Sequence, residues 1–181
     1  MKMEDSQRIE APRETVWAAL NDADVLKACI PGCEELVKHS DTEMEAKVLL
    51  KVGPVKAKFG GKVTLEDLIP PESYRIVGEG SGGVAGFAKG GAVVRLEEDG
   101  PDATILHYDV DAQIGGKIAQ LGSRLIDSTS KRLAGEFFKT FGETVAPSQS
   151  EDEADEDQAE GKKGWLSGMF GKKDTAAEED A

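Results

Sequence analysis

Two residue pairs come closest to active chemistry. Cys29 and Cys33 flank an Ile-Pro-Gly turn, and Asp109 and Asp111 sit two apart in an alternating stretch. A thiol pair at that spacing could hold a metal, but zinc wants four ligands, and the only histidines, His39 and His107, lie far apart without a second cluster. The cysteines therefore read as reduced, structural thiols. Carboxylates at i and i+2 on a strand share a face and can act as acid and base. Here Leu106, Tyr108, Val110 and Ala112 occupy the alternate positions and must face a core, which turns both aspartates to water. Gly78-Glu79-Gly80-Ser81-Gly82-Gly83 fits the GxGxxG string, yet it lies between two strand patterns and opens no helix that would receive a phosphate. The glycines read instead as a flexible loop at the mouth of a sheet. Neither histidine has a serine or cysteine nucleophile in its context. The chain thus offers no catalytic or metal-ligating set.

A different chemistry stands near the end. Trp165, Leu166, Met169 and Phe170 lie between Lys162-Lys163 and Lys172-Lys173. In a helix the four apolar side chains span roughly 140° of arc, one face fit to dock on a surface outside the domain. Flanking lysines point to anionic lipid, each contributing up to about 1 kcal/mol near a charged membrane. A protein-docking peptide and a tail folded back on its own domain are the alternatives. Seven acids between Glu151 and Glu160 lie beside the segment and weaken the attraction, so binding is expected to be reversible.

Charge divides the chain at the same place. Residues 147–181 hold eleven acids and four lysines, −7 of a net −13, leaving −6 on the body. An acidic body without a basic stripe excludes nucleic acid as a partner. No stretch approaches the roughly 20 apolar residues of a spanning helix, and the first residues form no apolar signal region. The expected organisation is a domain at 1–146, an acidic disordered linker at 147–161, an amphipathic membrane-docking segment at 162–173 and a disordered acidic end at 174–181. The expected location is cytoplasmic, peripheral on the inner face of the cytoplasmic membrane.

The elements that would position a site follow from periodicity. A weak strand at Met3 to Glu10 precedes Pro12, which suits the first position of a helix running to about Leu20, and a second helix spans Asp22 to Ala28. Period-two patterns then mark strands near 34–39, 43–51, 55–68, 74–80, 88–98 and 104–114, separated by turn residues. Gly116 opens a long helical pattern in which Ile118, Leu121, Leu125, Leu133, Phe137 and Phe141 recur at three- and four-residue steps. An α+β fold results, a curved antiparallel sheet around a long C-terminal helix, with Gly60-Gly61 supplying the bend. Small residues (Gly90, Gly91, Ala92, Gly122, Thr129, Ala134) interleave on the facing walls and leave room for a pocket. Its expected lining is Val52, Phe59, Ala92, Val94, Tyr108 and Val110 from strands and Leu121 and Leu125 from the helix. Ile30, Pro31 and Phe87 are expected at the mouth.

Three stretches carry a family resemblance: Pro12-Arg13-Glu14-Thr15-Val16-Trp17, Cys29-Ile30-Pro31-Gly32-Cys33, and Val52-Gly53-Pro54-Val55-Lys56-Ala57-Lys58-Phe59-Gly60-Gly61-Lys62-Val63. Together they resemble the carbon monoxide dehydrogenase G-subunit family, within the SRPBCC superfamily of START-like helix-grip domains. The similarity covers about residues 1 to 145. It implies a helix-grip fold and no catalytic motif, hence a protein that is not itself an enzyme. It also implies association with a molybdenum hydroxylase that oxidises carbon monoxide or a similar substrate, and membrane attachment of that enzyme. Such an enzyme must reach an electron acceptor in the bilayer, so the expected non-covalent ligand of the pocket is a respiratory quinone, menaquinone or ubiquinone. The rival readings are a recruitment adaptor without ligand, an assembly factor, and a small-molecule enzyme such as a cyclase on the same fold.

Overall fold

The computed structural model describes residues 1–146. The linker expected at 147–161, the docking segment at 162–173 and the acidic end at 174–181 lie outside the described residues. Within them the chain runs β1 (Lys2–Ile9), α1 (Arg13–Leu20), α2 (Ala23–Cys29), β2 (Cys33–Lys38), β3 (Glu43–Val52), β4 (Val55–Ile69), β5 (Ser73–Ser81), β6 (Phe87–Glu98), β7 (Thr104–Gly115) and α3 (Ser123–Val145). Short 3-10 turns at Gly83–Ala85 and Ile118–Leu121 precede β6 and α3.

Each helix start has a local cause. Asp22 caps α2 by accepting the backbone N–H groups of Asp24 at 2.9 Å and Val25 at 3.4 Å, worth about 1 kcal/mol. Pro12 sits one position earlier than expected, with extended ψ of 151°, and its carbonyl accepts the first helical bond from Val16. The long C-terminal helix is shorter than its periodicity implies. Gly122 adopts φ +96°, which a continuous helix cannot contain, so Ile118 and Leu121 belong to a separate turn and α3 begins at Ser123.

All seven strands join one antiparallel sheet in the order β1-β7-β6-β5-β4-β3-β2. Six follow as a meander, and β1 returns to the far side of β7, pairing Lys2 with Asp111 and Ile9 with Thr104. At Gly60-Gly61, where the bend is expected, the β3–β4 ladder keeps register, so these glycines form no bulge. Irregularity comes later, where the β4–β5 register shifts between Glu66 and Ile69 and Asp67 takes φ +51°.

The apolar interior divides in two. A large cluster around Phe141, Leu106 and Val16, all at most 1% exposed, ties α1, α2 and the C-terminal half of α3 to the sheet. A small one at the opposite end gathers Val52, Phe59, Ala85 and Ile118. Close strand approach constrains one glycine between them. A Cβ on Gly90 would lie 2.2 Å from the Asp111 carbonyl oxygen and 2.6 Å from Ala112 Cα, whereas one on Gly60 meets nothing within 4 Å. Gly90→Ala is therefore expected to lower stability by more than about 2 kcal/mol, and Gly60→Ala to change it by about 0.5 kcal/mol or less, as read by chemical denaturation.

Candidate functional site

Strand register determines what the concave face of the sheet presents to α3. Inward positions run Phe59, Gly61 and Val63 on β4; Gly80, Gly78, Ile76 and Tyr74 on β5; Ala88, Gly90, Ala92 and Val94 on β6; and Ile114, Ala112, Val110 and Tyr108 on β7. The ladders set Gly61 opposite Gly80, Gly80 opposite Ala88, Gly78 opposite Gly90, and Gly90 opposite Ala112. Across four strands the middle of the face thus carries only hydrogens and methyls. Nothing there reaches the facing helix.

The consequence is an apolar cavity between the two core clusters. Its larger chamber, about 530 Å³, is walled by Ile126, Thr129, Ser130 and Leu133 of α3, by Val48, Leu50 and Val52 of β3, and by the glycine floor. A smaller chamber of about 350 Å³ extends among Leu20, Leu26, Leu36, Tyr74, Phe137 and Phe138. Volumes of roughly 300–1,000 Å³ are typical of small-molecule sites. The lining side chains of Ala46, Val48, Val63, Ile76 and Val110 are only half buried although they point inward, as expected of walls facing open volume.

The structure gathers part of the expected lining and disperses the rest. Ile30, Ala92 and Val110 border both chambers, Val52 and Phe59 the larger one, and Val94 and Tyr108 the smaller. Pro31 borders neither. Leu121 and Leu125 pack instead over the β3–β4 turn, where a Cβ on Gly53 would meet Leu125 Cδ2 at 2.7 Å and Leu121 Cδ1 at 4.0 Å. Phe87 has odd parity on β6, so it faces outward, 48% exposed, with its ring over Gly115. The 82–87 loop is not a rim of either chamber; Gly82 lies against the Phe59 ring and Ala85 is buried in the small cluster. Nor are Gly78 and Gly80 loop residues, since both belong to β5 and form the floor. The lysines and apolar residues of the docking segment, Lys162, Lys163, Trp165, Leu166, Met169, Phe170, Lys172 and Lys173, lie outside the described residues.

Sequence reasoning misses the floor's meaning and Tyr74. Tyr74 is 5% exposed, its ring meeting Trp17 edge-on at 5.3 Å, and burial raises its pKa well above the ordinary phenol value. Tyr108 stacks on Phe138 at 5.3 Å; burial raises its pKa too, and the Asp5 charge adds to the effect. Period-two parity from Ile76 would have found Tyr74.

The aspartate pair lies on the outer face of the sheet. Asp109 and Asp111 are exposed, as their alternation with Tyr108 and Val110 requires. His39 contacts Glu45 at 3.2 Å and His107 contacts Glu97 at 3.1 Å, and the His39 hydrogen bond holds the Glu45 carboxyl below its usual range. Cys29 is buried with Sγ 3.9 Å from Thr144 Oγ1, and burial raises both thiol pKa values. Among the described residues no group of three His, Cys, Asp or Glu could hold a metal, and no helix is long and apolar enough to cross a membrane.

Known proteins share this fold. The family model for the carbon monoxide dehydrogenase G-subunit (CoxG) matches residues 6–146. The chain belongs to that family. A conserved protein from Geobacillus kaustophilus is 30% identical to this CoxG family member, covering 82% of this chain and 97% of its own, with a TM-score of 0.77. A START superfamily protein from Mycobacterium smegmatis is 13% identical over 80% of this chain and 96% of its own, TM-score 0.61. The Zhui aromatase/cyclase from Streptomyces sp. R1128 is 13% identical over 81% and 94%, TM-score 0.58. The last two identities carry the fold alone, and they establish the curved sheet and long helix of this CoxG family chain as START-like. No curated protein sequence matches it.

Proposed function

We propose that this chain is a non-enzymatic accessory protein of a carbon monoxide dehydrogenase-type molybdenum hydroxylase. It holds an apolar ligand, a respiratory quinone such as menaquinone or ubiquinone, in the cavity. Its 162–173 segment links the soluble enzyme to anionic lipid on the inner face of the cytoplasmic membrane. One observation carries the reading: a glycine-floored apolar volume separates two core clusters that would otherwise merge. An apolar molecule entering it replaces missing contacts without leaving a charge unpaired.

A carrier fits this interior better than an enzyme does. Glu45, Lys62 and Glu79, the charged residues along the chamber walls, are exposed, and Glu45 pairs outside with His39 and Lys62. No acid and base among the described residues face each other across the volume. The membrane link rests on the four apolar residues and two lysine pairs near the end of the sequence.

Thermal unfolding of the full chain tests the carrier directly. A short-chain menaquinone or ubiquinone at 100 times its Kd should add about 2.7 kcal/mol of stability and raise the Tm by several degrees, saturably. Mass spectrometry of solvent extracts should also find an apolar molecule carried through purification. No shift and no extractable molecule would leave a ligand-free recruitment adaptor.

A further inference from the structure

Tyr74 occupies an inward position on β5, paired with Val94 of β6, where an apolar side chain would complete the wall. It lines the smaller chamber beside Leu20, Leu26 and Leu65. Its hydroxyl makes no hydrogen bond with any described residue, and burial alone accounts for its raised pKa. Neither is the oxygen sealed among protein atoms. Among the described residues, the buried side-chain nitrogen or oxygen that lacks both a partner and accessible surface is Arg13 Nε, so the Tyr74 oxygen keeps some accessible surface, on a side chain that borders the smaller chamber. Tyr108, the other phenol on that wall, differs in having the Gln7 side chain beside its hydroxyl.

A buried hydroxyl is normally partnered, because leaving its bond unmade in a dry site is unfavourable. Phenylalanine would pack equally well against Trp17 without that penalty. Since the raised pKa keeps the phenol protonated, the group is a standing donor, and the partner it lacks is an acceptor. We propose that the Tyr74 hydroxyl donates a hydrogen bond to a carbonyl oxygen of the molecule held in the cavity. The inference rests on the ligand-carrier reading and narrows its ligand class: an apolar molecule with a carbonyl at its inner end, which a quinone satisfies and a plain hydrocarbon does not. The bond also sets orientation, with the carbonyl end deepest, beside α1 and α2.

Two probes test it on the full chain by titration calorimetry: a naphthoquinone with a short isoprenoid chain, and naphthalene bearing the same chain. Wild type should bind the quinone about tenfold more tightly than the hydrocarbon. Tyr74→Phe, which removes one oxygen, should lower quinone affinity by about tenfold and leave hydrocarbon affinity and Tm unchanged. The infrared carbonyl stretch of the bound quinone should lie lower in wild type than in the variant. If wild type and Tyr74→Phe bind the quinone equally with the same carbonyl stretch, the anchor is overturned while the carrier stands. If wild type binds neither probe, the carrier reading fails and the anchor fails with it.

Discussion

Ala92→Phe is expected to abolish quinone binding, by at least about a hundredfold, while the Tm stays within about 3 °C of wild type. Ala92 lies on β6 between Ile76 of β5 and Val110 of β7 and borders both chambers. A benzyl group there projects into the volume that a ligand would occupy. In a filled interior the same enlargement would cost roughly 1 to 3 kcal/mol through overpacking. Binding and stability therefore report different things. Lost binding with preserved Tm marks a working cavity, whereas lowered Tm with unchanged binding would place the ligand elsewhere and remove the carrier reading.

Removing residues 147–181 should eliminate sedimentation with anionic liposomes. Val145 is 5% exposed and sits in the large core cluster, so a chain ending at Ala146 keeps the last packed turn of α3. The deleted piece contains both lysine pairs and the four apolar residues. Up to about 1 kcal/mol per lysine, plus partial burial of four large side chains, amounts to more than about a hundredfold in partitioning. Trp165→Ala with Phe170→Ala should weaken binding in the full chain, and added salt should weaken it further through the lysines. Equal sedimentation of the long and short chains would show that the domain, not the tail, meets the lipid.

Most elements of the domain are legible because alternation is local. Strands expected at 55–68 and 104–114 occur at Val55–Ile69 and Thr104–Gly115, and inward parity on β6 and β7 follows from Leu96, Leu106 and Tyr108. Resemblance to the CoxG family leads to the same fold by an independent route. What fails is nonlocal or backbone-specific. Ile118 and Leu121 keep helical spacing with Leu125, but the positive φ of Gly122 breaks the helix where periodicity cannot register it. Periodicity consequently puts Leu121 and Leu125 in the cavity, when they cover the Gly53 turn. Gly78 and Gly80 look like loop residues in sequence, yet paired with Gly90 and Ala88 they are a strand stripped of side chains. The site itself is half visible: Ala92, Val94, Tyr108 and Val110 follow from parity, while the small-residue floor needs four strands in register before it means anything.

The placement of β1 against β7 has a consequence for how the chain is made. Lys2 must find Asp111 and Ile9 must find Thr104, partners about a hundred residues away, so β1 leaves the ribosome long before the strand that pairs with it. Contacts so distant in sequence slow folding, and an unpaired strand is an invitation to aggregate while it waits. In β1 four of eight residues, Lys2, Glu4, Asp5 and Arg8, are charged, with only Met3 and Ile9 strongly apolar. Such a strand stays in solution alone. Charge on β1 thus protects the nascent chain during the interval before its neighbour exists.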